Sequence, residues 1–274
     1  MPPADQSERA TQFRALHRRG APLVLPNAWD GASARIFAVA GFPAIGTTSA
    51  GLAWSLGYAD GERVPLDLLV DTVARLVALV DVPLTVDIER GYGATPEAVA
   101  GLGRRLLAVG AVGINIEDGS EPPEALCRKI EALRALDTET GVALFINART
   151  DTYFRSPLSG AARHAEAVRR LRLFADAGAD GLFAPGLADL AEITELAKAV
   201  PLPLNIYAWS GVPAVAALAD AGVARLSIGC GPMQATLALT RRIAESLRDQ
   251  GTYDAFTATA LPKGEVDQLF VPAG

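Results

Sequence analysis

The sequence predicts an α/β chain that closes as a parallel (β/α)8 barrel, and three observations carry that prediction. The 274 residues are half hydrophobic and 20% charged, enough for one large aliphatic core and the right length for a single barrel domain. Eight short aliphatic or β-branched runs, each ending in polar or glycine residues, alternate with helical stretches. Several of those helices stop at a glycine just before the next run, at Gly41, Gly110, Gly178 and Gly222, as helix C-termini do.

The elements follow in order. A helix precedes the barrel core, which spans about 22–231. The strands are expected at Pro22–Ala28, Phe42–Ser49, Pro83–Glu89, Gly113–Asp118, Ala143–Thr150, Gly181–Gly186, Pro203–Ala208 and Arg225–Gly231. Between them, Leu66, Leu69, Val70, Val73, Leu76, Val77 and Val80 fall at three- and four-residue steps, one apolar face turned to a sheet. Thr95-Pro96-Glu97 supplies a cap, a first-turn proline and a first-turn acid, and Asp30 caps Gly31–Ala40 in the same way. Past the last strand, Met233–Arg248 reads as a final helix. The tail from Gly251 reads as irregular, with a turn at Leu261–Gly264. The whole chain, 1–274, is then one domain, the segment 232–274 extending beyond the barrel. An open doubly wound sheet is the competing fold, but no glycine fingerprint opens a helix after the first strand. Ile36–Ala59 is free of charge and long enough to span a bilayer, yet its glycines, Pro43 and polar residues divide it into a strand and a loop.

Composition removes several function classes. A net charge of −6 with no basic run argues against nucleic acid, which needs a cationic surface. Two histidines and two cysteines leave no room for a zinc cluster or a disulfide scaffold. His17 and His164 sit among arginines on helices and read as solvated, so no Ser-His-Asp triad is expected. Cys127 reads as a buried structural thiol within a helix, and Cys230 as a small residue ending the last strand. The amino-terminal segment lacks an apolar core, so a cytoplasmic, membrane-free location is expected.

In a barrel the chemistry gathers at the carboxyl ends of the strands. Alternation puts Asp87 and Glu89 on one side of the third strand, and Glu117 ends the fourth at about the same height. Three carboxylates this close need a cation or raised pKa values. Oxygen-only ligands suit Mg2+, or Mn2+ in its place. Alternatively, these acids cap helices or pair with Arg90 and Arg104 at the surface. Arg149, sharing a face with Asn147 and Asp151, either neutralises its acidic neighbours or forks onto an anionic group of a ligand. The small residues Thr47 to Leu52 let backbone N–H groups approach an anion. Trp29, Trp54 and Trp209 wall a pocket or pack under loops.

Taken in order, Thr48-Ser49-Ala50-Gly51-Leu52, Gly57 with Asp60, Asp87-Ile88-Glu89-Arg90-Gly91-Tyr92-Gly93, Ile116-Glu117-Asp118 and Asn147-Ala148-Arg149-Thr150-Asp151 resemble the isocitrate lyase and phosphoenolpyruvate mutase superfamily over about Leu25 to Leu247. The resemblance implies a TIM-type barrel whose last helix is exchanged between subunits, a homo-oligomer built as a dimer of dimers, and Mg2+ holding a small 2-oxo acid. It implies Asp87 as direct metal ligand, with Glu89 and Glu117 acting directly or through water. Ser49, Ala50, Gly51 and Leu52 would give backbone contacts to the substrate carboxylate, Arg149 and Asn205 would contact the substrate, and Asp60 would lie near the reacting carbon as a catalytic residue beside Arg149. The chain departs from that pattern in two places. The family's lyases carry a Lys-Lys/Arg-Cys-Gly-His loop after the fourth strand, and its mutases a lysine and an asparagine there. Here Asp118-Gly119-Ser120-Glu121-Pro122-Pro123 runs almost directly into a helix. Glu89 also stands where aspartate is usual. The expected activity is Mg2+-dependent cleavage or formation of a C–C bond next to a 2-oxo acid through an enolate, as in oxaloacetate decarboxylation or 2-methylisocitrate lysis. P–C bond chemistry on phosphonopyruvate, or binding of a ligand such as 2-oxoglutarate with little turnover, are the alternatives.

Overall fold

The computed structural model describes residues 3–271. The outermost residues of the expected 1–274 domain and of its 232–274 extension therefore lie outside the described residues. Nine parallel strand segments form the sheet, and the first two are halves of one strand. Leu23–Leu25 pairs with the last strand and Asn27–Ala28 with the next one, so this strand, β1, joins the two ends of the sheet into a ring. Pro26 causes the interruption, because it has no N–H for a ladder. The Asn27 side chain bridges the break: its amide donates to the Thr47 carbonyl, and its oxygen accepts from the Ile228 and Gly229 N–H groups.

The other strands are β2 (Ile45–Thr47), β3 (Leu84–Asp87), β4 (Gly113–Glu117), β5 (Phe145–Arg149), β6 (Gly181–Phe183), β7 (Leu204–Tyr207) and β8 (Arg225–Ser227). All eight expected strands are present, each shorter than expected at its amino end, its carboxyl end or both. The expected caps are present too: Asp30 forms a reciprocal capping box with Ser33, and the Thr95 hydroxyl accepts from the Ala98 N–H. The Leu66–Leu79 helix buries Leu69, Val70, Val73 and Leu76. Among the described residues no helix is long and apolar enough to cross a membrane.

Four expectations need correction. Thr48 to Leu52 is not an open loop. Thr48 caps a helix, Ser49–Ser55, by accepting from the Gly51 N–H, and the good helix formers Ala50, Leu52 and Ala53 sustain it despite Gly51. The tail is not wholly irregular, since Asp254–Thr257 and Lys263–Gln268 are short helices, the second entered from Pro262. Cys127 is only partly buried. The histidines are not solvated. His164 is half-buried beside Glu192, and His17 is buried just beyond the Pro3–Ala15 helix.

That helix closes the amino end of the barrel. Phe13 meets Phe145 edge to face, and the His17 ring stacks on Phe145 at 4.1 Å. The His17 Nδ1–H donates to the Phe13 carbonyl at 2.9 Å. Burial, then the nearby Arg225 charge, pushes the His17 pKa down to about 3. Arg225 itself is fully buried inside the barrel, donates to Asn115 Oδ1 and is pushed down to about 9 by burial. At the other terminus, Gly231–Gln250 leaves the barrel with Met233 its one buried residue, while Leu237 and Leu247 stay nearly half exposed. The chain then returns, and the Leu269 carbonyl accepts from Arg35.

His17 makes stability pH-dependent in a defined sense. Its folded pKa lies below the unfolded value, so the unfolded chain binds the extra proton and stability falls as pH drops from about 6.5 toward 3. Urea melts of wild type against His17→Leu should differ in slope over that window by up to ~1.4 kcal/mol per pH unit, the variant being flatter. Equal slopes would contradict a neutral buried His17.

Candidate active site

Parallel register aligns the functional side chains. Asp87 of β3 lies opposite Asn115 of β4, and Glu117 opposite Arg149 of β5. The Asp87 N–H donates to the Thr47 hydroxyl, and Asp87 Oδ2 accepts from the Ser49 hydroxyl at 2.9 Å and the Ser49 N–H at 3.2 Å. Thus the first turn of the Ser49–Ser55 helix is pinned to the end of β3. Glu89, two residues further, adopts a left-handed backbone at φ 52°, and both its carboxylate oxygens accept from the Glu62 N–H.

Arg149 Nη1 meets Glu117 Oε2 at 2.7 Å, and its Nε meets Asp151 Oδ1 at 2.7 Å. Phe154 and Phe183 flank the guanidinium at 5.8 and 5.9 Å. Arg149 therefore does neutralise its acidic neighbours, while its remaining edge faces the cavity. Arg90 and Arg104 do not take the acids assigned to the metal: Arg90 pairs with Glu62, and Arg104 with Glu139.

A cavity of about 250 Å3 opens here, lined by Ser49, Ala50, Asp60, Asp87 and Arg149 among others. An adjoining recess of about 360 Å3 shares Ser49, Asp60 and Arg149 and adds Glu89 and Glu117. Seven of the ten residues named from sequence thus meet at one end of the barrel. Three do not. Gly51 is packed against Thr48, Trp29 and Met233, Leu52 is buried with its N–H on the Thr48 carbonyl, and Asn205 lies inside the barrel, accepting from Ser227. The helical course after Thr48 explains the first two, since only Ser49 and Ala50, its first two residues, front the cavity. Phe154, Phe183, Tyr207, Ser227 and Cys230 also line the cavity. Alternation from Arg225 could have found Ser227, and no local signal marked Phe154. Trp209 stacks on Tyr207 at 5.8 Å.

The electrostatics are those of too many acids. Burial pushes Glu117 up to about 8 despite Arg149, and Glu89 up to about 7 despite its hydrogen bond from Glu62. Burial and Asp87 raise Asp60. Arg149 keeps its proton, because Glu117 and Asp151 outweigh the effect of burial. Among the described residues no three His, Cys, Asp or Glu side chains converge as a complete metal cage. The donor set nonetheless fits Mg2+, which binds through one or two carboxylates and keeps several waters. Asp87 would be the direct ligand and Glu89 and Glu117 would act through water.

Comparison with known proteins gives a consistent picture. The family model of phosphoenolpyruvate phosphomutase matches residues 13–248. An uncharacterized protein of Mycobacterium tuberculosis strain H37Rv is 38% identical over 241 residues, 86% of this chain and 89% of that one. A 2-methylisocitrate lyase of Escherichia coli K12 is 28% identical over 271 residues, 93% and 89% of the two chains. A crystal structure from Burkholderia cenocepacia J2315, provisionally titled a phosphonomutase, shares 39% identity and a TM-score of 0.82 over 90% of this chain and 100% of that one.

Removing Arg149 strands two buried carboxylates, which typically costs about 3–5 kcal/mol. Arg149→Met should therefore lower unfolding free energy by about that much at pH 9, and adding Glu117→Gln should recover part of it. Strict additivity in that double-mutant cycle would contradict the pairing.

Proposed function

The chain belongs to the phosphoenolpyruvate phosphomutase family, and from that premise we propose that it is a Mg2+-dependent lyase that cleaves or forms a C–C bond beside the carbonyl of a small 2-oxo acid. The observation that carries this reading is the joint placement of Asp60, Asp87 and Arg149 around one small cavity. Asp87, with Glu89 and Glu117 through water, would hold a divalent cation, which would supply Lewis-acid charge beside the substrate carbonyl.

The protein's own groups supply the rest. Ser49 and Ala50 present the amino end of a helix to the cavity, where a carboxylate is favoured. Arg149, held rigid by Glu117 and Asp151, turns one edge toward the far end of the ligand and stabilises negative charge there. Asp60, its pKa raised by burial and by Asp87, is placed to exchange a proton at the reacting carbon. The Phe154, Phe183 and Tyr207 rings give the cavity an apolar wall. Loss of CO2 needs an electron sink and few side chains, which suits a chain lacking the thiol loop after Glu117. Oxaloacetate-like acids fit this reading best.

The 39% identity to a provisionally titled phosphonomutase favours P–C chemistry as a second reading, opposed by the short segment after Glu117. Binding of a 2-oxoglutarate-type ligand with little turnover is a third. We also infer a cytoplasmic homo-oligomer, a dimer of dimers with exchange of the Gly231–Gln250 helix, supported by the exposed Leu237 and Leu247.

Pyruvate release from oxaloacetate should require Mg2+ and fall at least ~100-fold in Asp87→Ala, with 2-methylisocitrate and phosphonopyruvate tested alongside. Turnover unaffected by that change would overturn the metal assignment, and turnover of phosphonopyruvate alone would replace the C–C reading. Sedimentation should give a mass of several chains, reduced by Leu237→Glu with Leu247→Glu. A single-chain mass for wild type would contradict the exchange.

A further inference from the structure

The segment bearing Asp60 ends in an arrangement that the proposed chemistry does not use. Gly57, Gly61 and Glu62 all have left-handed backbones, and across from them so do Glu89, Gly91 and Tyr92. Such conformations are costly for Glu and Tyr, by about 1–3 kcal/mol each, and persist where surrounding contacts hold them. The contacts here are reciprocal. The Glu62 N–H donates to both Glu89 oxygens, at 2.8 and 2.9 Å. The Glu62 carboxylate in turn accepts from the Tyr92 N–H at 2.7 Å and from Arg90 Nη2 at 2.8 Å. The Tyr92 hydroxyl closes the loop by donating to Glu89 at 3.2 Å.

Side-chain length matters to this clasp. The Glu89 side chain, one methylene longer than an aspartate, brings its carboxylate onto the Glu62 N–H. Both oxygens are thereby taken up by the loop. Glu62 is largely buried beside Arg90, so its own charge is compensated and the two glutamates coexist.

We propose that Glu62 is a positioning residue: with Glu89 and Tyr92 it clasps the Gly57–Glu62 segment and so holds Asp60 over the cavity, Glu89 serving this loop rather than binding a metal directly. The inference rests on the assignment of Asp60 to the site, and the two are separable. Hydrogen exchange reads the clasp without turnover, whereas Asp60→Asn, which leaves the clasp intact, reads the role of Asp60.

The test is hydrogen–deuterium exchange of peptides covering residues 57–63, with Mn2+ affinity measured by calorimetry on the same full-length samples. Glu62→Ala should speed exchange there about tenfold, roughly a 1.4 kcal/mol loss of local protection, while the Mn2+ Kd changes less than about threefold. Glu62→Gln keeps an acceptor for the Tyr92 N–H and should restore most of the protection. Glu89→Asp, one methylene shorter, should loosen the same peptides as Glu62→Ala does. Unchanged exchange in Glu62→Ala would overturn the proposal. So would a Mn2+ Kd raised tenfold or more in Glu89→Asp with the loop still protected, which would return Glu89 to the metal.

Discussion

Carboxylates crowd the carboxyl ends of β3 to β5, and the molecule sets against them one largely buried guanidinium, that of Arg149, shared between Glu117 and Asp151. Much else at this end of the barrel follows from that imbalance. Burial favours the neutral form of an acid, and a neighbouring negative charge favours it further. Burial accordingly pushes Glu117 up to about 8 and Glu89 up to about 7. A divalent cation held there would balance the charge of these acids and favour their ionised forms.

The scaffold tolerates the crowding because each acid is tied down by something other than its neighbours. Asp87 accepts from Ser49, Glu89 from Glu62 and Tyr92, and Asp151 from Arg149 and Arg155. Asp118, buried beside them, accepts from the Thr150 hydroxyl, the Asp151 N–H and Arg170, joining the ends of β4 and β5. Preorganisation of this kind places charge before substrate arrives. The opposite end of the barrel is built differently, with Phe13, His17 and Phe145 packed as a plug and Arg225 buried above them.

Strand alternation, glycine stops and helix caps made the barrel legible, because each reports a local geometric requirement. The same alternation paired Asp87 with Glu89, and the barrel expectation set Glu117 and Arg149 beside them at neighbouring strand ends. Contacts between segments distant in sequence were not legible. Nothing near Glu62 announces that its N–H will meet Glu89, and nothing near His17 announces that Phe145 will cover it. Thr48 misled for a subtler reason: a residue that can approach an anion in a loop can equally cap a helix, and tertiary packing of Gly51 and Leu52 decided between the two.

The central claim is that Asp87 and the acids around it hold one divalent cation beside the ligand cavity. Electron paramagnetic titration of the protein with Mn2+, with and without oxalate as a planar mimic of a pyruvate enolate, tests it most directly. The account predicts one Mn2+ per chain, bound more tightly when oxalate is present and lost in Asp87→Ala. Oxalate binding that is indifferent to Mn2+, or Mn2+ binding that survives Asp87→Ala unchanged, would contradict it.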